Sequence, residues 1–184
     1  EETPAPSFDS VTMAVDIFPN ELRLESRGRA RLANHKKTPI HEFVVSLNPA
    51  LRVNQIAVEN ATLVRSDRVQ GFYLYRPAKA LAPGDTVEMT WDVTRRNDGF
   101  AVANPDKELV ANGSYISNFG VMPIPGYDAW RRITDNALRR KYGLPPAPRG
   151  AALGASAHSD KVALGIDSRT DFEIVLSTSA DQIA

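Results

Sequence analysis

Val11, Met13, Val15 and Ile17 occupy every second position, with small or polar residues between them. That period of two puts four apolar side chains on one face of a β-strand. Phe18-Pro19-Asn20-Glu21 follows as a turn, because Pro and Asn favour the backbone angles a turn needs. A longer strand is predicted over 22–33. Leu22, Leu24, Ala30 and Leu32 face one way in it, and Arg27, Arg29 and Arg31 the other. Gly28 predicts a bulge or bend inside that strand. Phe43, Val45 and Leu47 make a third strand, broken by Asn48-Pro49. Ile56 and Val58, a turn at Glu59-Asn60-Ala61, and Leu63 predict a hairpin. Residues 72–75 form another strand, ended by Pro77. A turn at Leu81-Ala82-Pro83-Gly84-Asp85 leads into the alternating Val87, Met89, Trp91 and Val93. Trp91 is the expected centre of the core.

The pattern changes after residue 100. Residues 100–125 mix short apolar pieces with Asn, Gly and Pro, which predicts loop with one strand around 114–117. Residues 128–142 read as a helix capped by Asp128 and ended by Gly143, Pro145 and Pro146. Trp130, Ile133, Ala137 and Leu138 share one face of it, and Asp128→Arg132 and Asp135→Arg139 are acid-to-base pairs four apart. Residues 144–160 are rich in Pro, Ala, Gly and Ser and predict an irregular loop. Phe172, Ile174 and Leu176 alternate as a closing strand. The fold class is mainly β: a twisted β-sandwich with one helix inserted near the C-terminal part. The whole chain, 1–184, reads as a single domain, with the helical insertion at about 128–142 and the irregular loop at about 144–160.

Composition narrows the chemistry. The chain has 184 residues, 42% hydrophobic and 24% charged, which fits an ordinary globular domain. Lys+Arg and Asp+Glu are both 22, so bulk electrostatics give no footprint for nucleic acid. There is no cysteine, hence no disulfide, thiolate metal site or cysteine nucleophile. No apolar run approaches the roughly 20 residues of a membrane-spanning helix. The Pro-rich start and the abrupt end suggest a piece of a longer protein.

Motifs for catalysis are missing: no HExxH, no GxSxG and no phosphate-binding loop. His35 and His41 flank a short turn and are either a metal pair or two loop histidines; the lack of a third ligand nearby favours the second. His158 falls in the irregular loop. Arg131, Arg132, Arg139, Arg140 and Lys141 make the helix basic, which reads as a solvated face or as a contact for an anionic partner. Asn112-Gly113-Ser114 fits the glycosylation pattern but is first a turn signal. Tyr73 and Tyr75 alternate with Phe72 and Leu74, as in a strand buried on both faces or an aromatic platform for a sugar or peptide. The segment 122–128, with Pro123, Pro125 and Gly126, is a rigid connector or a fixed loop presenting Asn118, Phe119 and Tyr127.

The order of these motifs resembles the N-terminal β-domain of the gluzincin family, the aminopeptidase N family. The opening hairpin over 13–34, the strand Phe43-Val44-Val45-Ser46-Leu47-Asn48 and the stretch 53–61 match its recurrent patterns, as does Leu81-Ala82-Pro83-Gly84-Asp85-Thr86-Val87. Asn112-Gly113-Ser114-Tyr115, Gly126-Tyr127-Asp128 and the stretches 139–146 and 177–184 are similar to a bacterial branch. In that branch the domain and a peptidase domain are joined to a permease of the ABC-2 transporter type.

The resemblance implies a non-catalytic, extracytoplasmic module on the periplasmic side of a membrane-anchored parent. It would pack on a downstream zinc aminopeptidase-like domain of the same chain and shape its substrate cleft. No cofactor is expected within 1–184; zinc is expected in the downstream domain. The implied partners are that domain and a peptide substrate, with no nucleic acid and with membrane contact only through the parent. Asn118 resembles the family's pocket Gln position, and Asn118, Phe119 and Tyr127 are the implied cleft residues. The alternative is a stand-alone carbohydrate- or protein-binding sandwich that uses the aromatic strand at 72–75.

Overall fold

The computed structural model describes residues 4–98, 108–128, 133–147 and 169–179. Along the chain run β1 (Ser7–Phe18), β2 (Arg23–Ala33), β3 (Phe43–Ser46), β4 (Leu51–Val58), β5 (Ala61–Asp67), β6 (Phe72–Pro77), β7 (Thr86–Arg96), β8 (Ile124–Pro125), α1 (Asn136–Lys141) and β9 (Asp171–Ser177). The strands form a five-stranded sheet in the order β4-β7-β2-β1-β9 and a four-stranded sheet in the order β5-β6-β3-β8. The fold is mainly β: the described residues form two sheets and one short α-helix.

Alternation fixes which faces meet. Val11, Met13 and Val15 of β1, Leu24, Ala30 and Leu32 of β2, and Val87, Met89, Trp91 and Val93 of β7 are all buried. Phe43 and Val45 of β3 and Tyr73 and Tyr75 of β6 face them from the other sheet as part of one core cluster. Phe43 and Tyr75 stack with ring centroids 6.3 Å apart. The Trp91 indole N–H donates to Ser26 Oγ at 3.2 Å, so this buried donor is satisfied.

Several expectations are corrected. Gly28 makes no bulge: the β2 register runs unbroken against β7 from Arg23 to Ala33. A Cβ there would lie 2.4 Å from Trp91 Cζ2, so the glycine makes room for the indole. The predicted hairpin is not formed either. Antiparallel β4 pairs with β7 and β5 with β6, so the turn through Asn60 (φ 50°) carries the chain from one sheet to the other. Leu22 adopts φ 49° at the end of a 3-10 turn, ahead of the strand rather than in it. Residues 114–117 hold no strand; Ser114 Oγ instead bonds the backbone of Val110. Tyr73 and Tyr75 lie in the core, so the aromatic platform of the alternative reading is not exposed.

The chain divides into two compact units: residues 1–127 with 168–184, and residues 128–167. In the second, α1 is six residues long and begins at Asn136, with Asp135 rather than Asp128 as its N-cap. The Asp135 carboxylate accepts the Leu138 N–H at 2.7 Å and serves as the cap. Arg139 does not pair with Asp135; it donates to the carbonyls of Ile133 and Pro145. Trp130, Arg131, Arg132 and His158 lie outside the described residues.

Candidate functional site

The segment 116–127 is built on a buried cation. Arg95 of β7 is 5% exposed, and its Nη1 donates to Glu108 Oε2 at 2.7 Å. Asn97 Nδ2 donates to the Leu109 carbonyl at 2.9 Å, which ties the same stretch to the end of β7. The 3-10 turn Asn118–Gly120 sits on this pair: a Cβ at Gly120 would lie 3.1 Å from Arg95 Nη1 and 2.6 Å from the Ile116 side chain. Val121 and Met122 then enter the core. β8 continues along β3, with Ser46 opposite Ile124 and Val45 opposite Pro125. The Gly126 N–H donates to the Val44 carbonyl at 2.7 Å, and Ser46 Oγ donates to the Gly126 carbonyl at 2.7 Å. Two prolines and this pair of hydrogen bonds hold the connector in place.

Asn118 is exposed, with its carbonyl accepting the N–H groups of Val121 and Met122. Its side-chain amide makes no hydrogen bond among the described residues. Phe119 is half-buried in the same turn. Tyr127, 51% exposed, follows β8. Among the described residues no hydrogen bond or ring contact joins Tyr127 to the other two. The fold therefore displays Asn118 and Phe119 together on one turn and Tyr127 at the far end of a rigid connector.

His35 and His41 are both exposed. Among the described residues no three His, Asp or Glu side chains come together as a metal site. No described helix is long and apolar enough to cross a membrane.

A feature not predicted from the sequence lies on β9, the edge strand beside β1. Phe172, Ile174 and Leu176 stand opposite Val11, Met13 and Val15 in a parallel register, so they share the inward face of the sheet. The β1 residues are buried, yet Phe172, Ile174 and Leu176 remain 44%, 45% and 45% exposed. Val175, on the opposite face, is 63% exposed. The signal was present in the apolar Val175 between two inward residues, which departs from the apolar-in, polar-out rule for a half-buried strand.

No family model matches the chain, and no curated protein does. Its sandwich is similar to part of several solved structures. They are M1 zinc metallopeptidases. One from Deinococcus radiodurans, a mutant bound to a Tyr-Ser-Ala substrate, superposes with a TM-score of 0.45 at 12% identity, covering 67% of this chain and 30% of that one. A mutant from the same organism gives a TM-score of 0.48 at 14% identity, covering 67% and 29%. A further structure of the enzyme gives 0.41 at 14% identity, covering 58% and 24%. The chain thus spans less than a third of the length of these M1 structures.

Proposed function

We propose that this chain is a non-catalytic β-sandwich module that packs on a zinc aminopeptidase-like domain and shapes its substrate cleft. The observation that carries the reading is the uncovered apolar row Phe172, Ile174 and Leu176, which continues the core face of the five-stranded sheet past its last buried strand. Full burial of such a side chain from water is worth roughly 1.5–3 kcal/mol, and these three, already more than half covered, forgo about half of that each. A neighbouring domain seated there would recover it. The order of sequence motifs supplies the identity of that neighbour. It also supplies the finer reading, an extracytoplasmic location in a membrane-anchored parent that carries an ABC-2 type permease.

In this reading zinc belongs to the neighbouring domain, and a peptide is the ligand of the shared cleft. Asn118, Phe119 and Tyr127 wall one side of it, fixed by the Arg95–Glu108 pair and the prolines of the connector. The test compares two samples on aminoacyl p-nitroanilides with and without zinc. The 184-residue chain alone is expected to release no product under either condition. In the zinc-loaded parent protein, Asn118→Ala and Tyr127→Ala are expected to raise KM several-fold. Zinc-dependent hydrolysis by the isolated chain, or kinetic constants unmoved by both substitutions, would contradict the proposal.

A further inference from the structure

The sandwich has an open end between two turns, 47–50 and 68–71, with the start of β4 as one wall. A cleft of about 550 Å³ opens there, within the usual range for small-molecule sites. Its floor is fixed by backbone. The Leu47 N–H donates to the Gly71 carbonyl at 2.8 Å, and the Gly71 N–H donates to the Arg68 carbonyl at 3.2 Å. Gly71 has φ +59°, and a Cβ on it would fall 1.8 Å from the Leu47 carbonyl oxygen. The two turns therefore touch as closely as backbone allows.

Most of the polar side chains around this cleft offer donors. Arg52 and Arg68 line it, both exposed, and neither has an ion-pair partner among the described residues. Asn48 spends its side-chain carbonyl on the Ala50 N–H at 3.0 Å, which leaves its NH2 group free to donate. Asn54 lines the rim and donates its NH2 group to Asp92 and Thr94, which leaves its carbonyl oxygen as an acceptor there. Among the described residues no acidic side chain lines the cleft.

Tyr73 completes the set. The residue is 4% exposed, and its hydroxyl has no hydrogen-bond partner among the described residues. The hydroxyl is also not sealed, since among the described residues no buried side-chain polar atom lacks a partner. A core tyrosine thus brings an unpaired O–H to the wall of the cleft. Its neighbour Tyr75 differs, donating to the Ile56 carbonyl at 3.1 Å. Burial raises the Tyr73 phenol above its ordinary range, and the Arg68 charge draws it part of the way back, which places that guanidinium within electrostatic reach of the hydroxyl.

We infer that this cleft binds an oxyanion, held by Arg52, Arg68, the Asn48 amide and the Tyr73 hydroxyl. Guanidinium groups match carboxylate and phosphate oxygens through paired N–H donors, and a neutral O–H adds a further bond to the anion without adding charge. Leu47, Leu51 and Val53 provide an apolar side against which a short stem can rest. The shared chemistry is the oxyanion, whether as free phosphate or as a carboxylate on a compact apolar body.

The test is a titration of the 15N-labelled chain followed through the amide signals of Gly71 and Arg68. The probes are inorganic phosphate, N-acetyl-leucine and the uncharged N-acetyl-leucinamide. Saturable shifts with phosphate or N-acetyl-leucine, and none with the amide, are expected; the anion preferred identifies the source. Tyr73→Phe removes only an unpaired hydroxyl, so it should melt with the parent yet weaken binding about tenfold or more. Arg68→Ala should weaken it as much, and Arg29→Ala, an exposed arginine of β2 that does not line the cleft, should not. Absence of saturation with both anions, binding that survives Tyr73→Phe or Arg68→Ala, or equal loss with Arg29→Ala would overturn the inference.

Discussion

Gly28 and Trp91 stand opposite each other on β2 and β7, and the indole occupies the space where a Cβ of residue 28 would be. The same missing Cβ would also lie 2.7 Å from Met13 Cβ, so position 28 is crowded from both neighbouring strands, β1 and β7. Gly28→Ala must therefore displace a tryptophan whose N–H is bonded to Ser26. Overpacking of this kind costs about 1–3 kcal/mol. Urea denaturation should show a lower midpoint with an unchanged slope, and near-ultraviolet circular dichroism should report a moved indole.

Gly71 and Gly84 both have positive φ, at +59° and +86°, but only one is crowded. Nothing lies within 4 Å of a Cβ at Gly84, whereas Gly71 faces the Leu47 carbonyl. Gly84→Ala should cost about 1–2 kcal/mol, the ordinary penalty of a left-handed backbone with a side chain. Gly71→Ala should cost clearly more, because backbone must move. Thermal melting of the two variants side by side checks the order.

Tyr75 sets an alkaline limit. Burial, with a smaller contribution from Tyr73, pushes its phenol up to about 12. An unfolded tyrosine ionises near 10. A folded-state value above the unfolded one gives stability that is complete below about pH 10 and is lost as pH rises through about 12. Stability measured from pH 9 to 12 should fall over that window. Tyr75→Phe should flatten the fall, while losing the bond to the Ile56 carbonyl costs it about 0.5–1.5 kcal/mol at neutral pH.

Met13 and Ile174 are register partners with opposite exposure, 4% against 45%. Met13→Lys buries an unpaired charge and should destabilise the chain severely. Ile174→Lys sits on an open edge and should change stability by no more than about 0.5 kcal/mol. A matched pair of denaturation curves checks both.

Much of the fold was legible because strand alternation is a local signal. Val11, Met13 and Val15 announced the inward face of β1, and Val87 to Val93 announced that of β7, with Trp91 at the centre. What failed depended on partners distant in sequence. A glycine in a strand reads as a bulge or as a close approach, and only the position of Trp91 decides. Asn60 marks a turn, but no local pattern says that its two flanking strands enter different sheets. Asp128 and Asp135 are both competent caps, and the second caps α1, accepting the Leu138 N–H. Phe172, Ile174 and Leu176 do form the closing strand that their alternation predicts, but alternation alone cannot report how far they are covered, and they remain 44%, 45% and 45% exposed. The cleft residues Arg52, Arg68 and Tyr73 carry no shared motif; Arg52 belongs to one sheet and Tyr73 to the other, and the packing of the two sheets brings them together.

The central claim is that this module is built to be covered along β9 by a peptidase-like domain. Isothermal titration of the 184-residue chain against that domain, expressed separately from its parent, tests it most directly. The expected result is saturable binding by the unaltered chain, and at least a tenfold weaker affinity for Ile174→Lys despite an unchanged melting temperature. No binding by the unaltered chain, or equal binding by the variant, would contradict it.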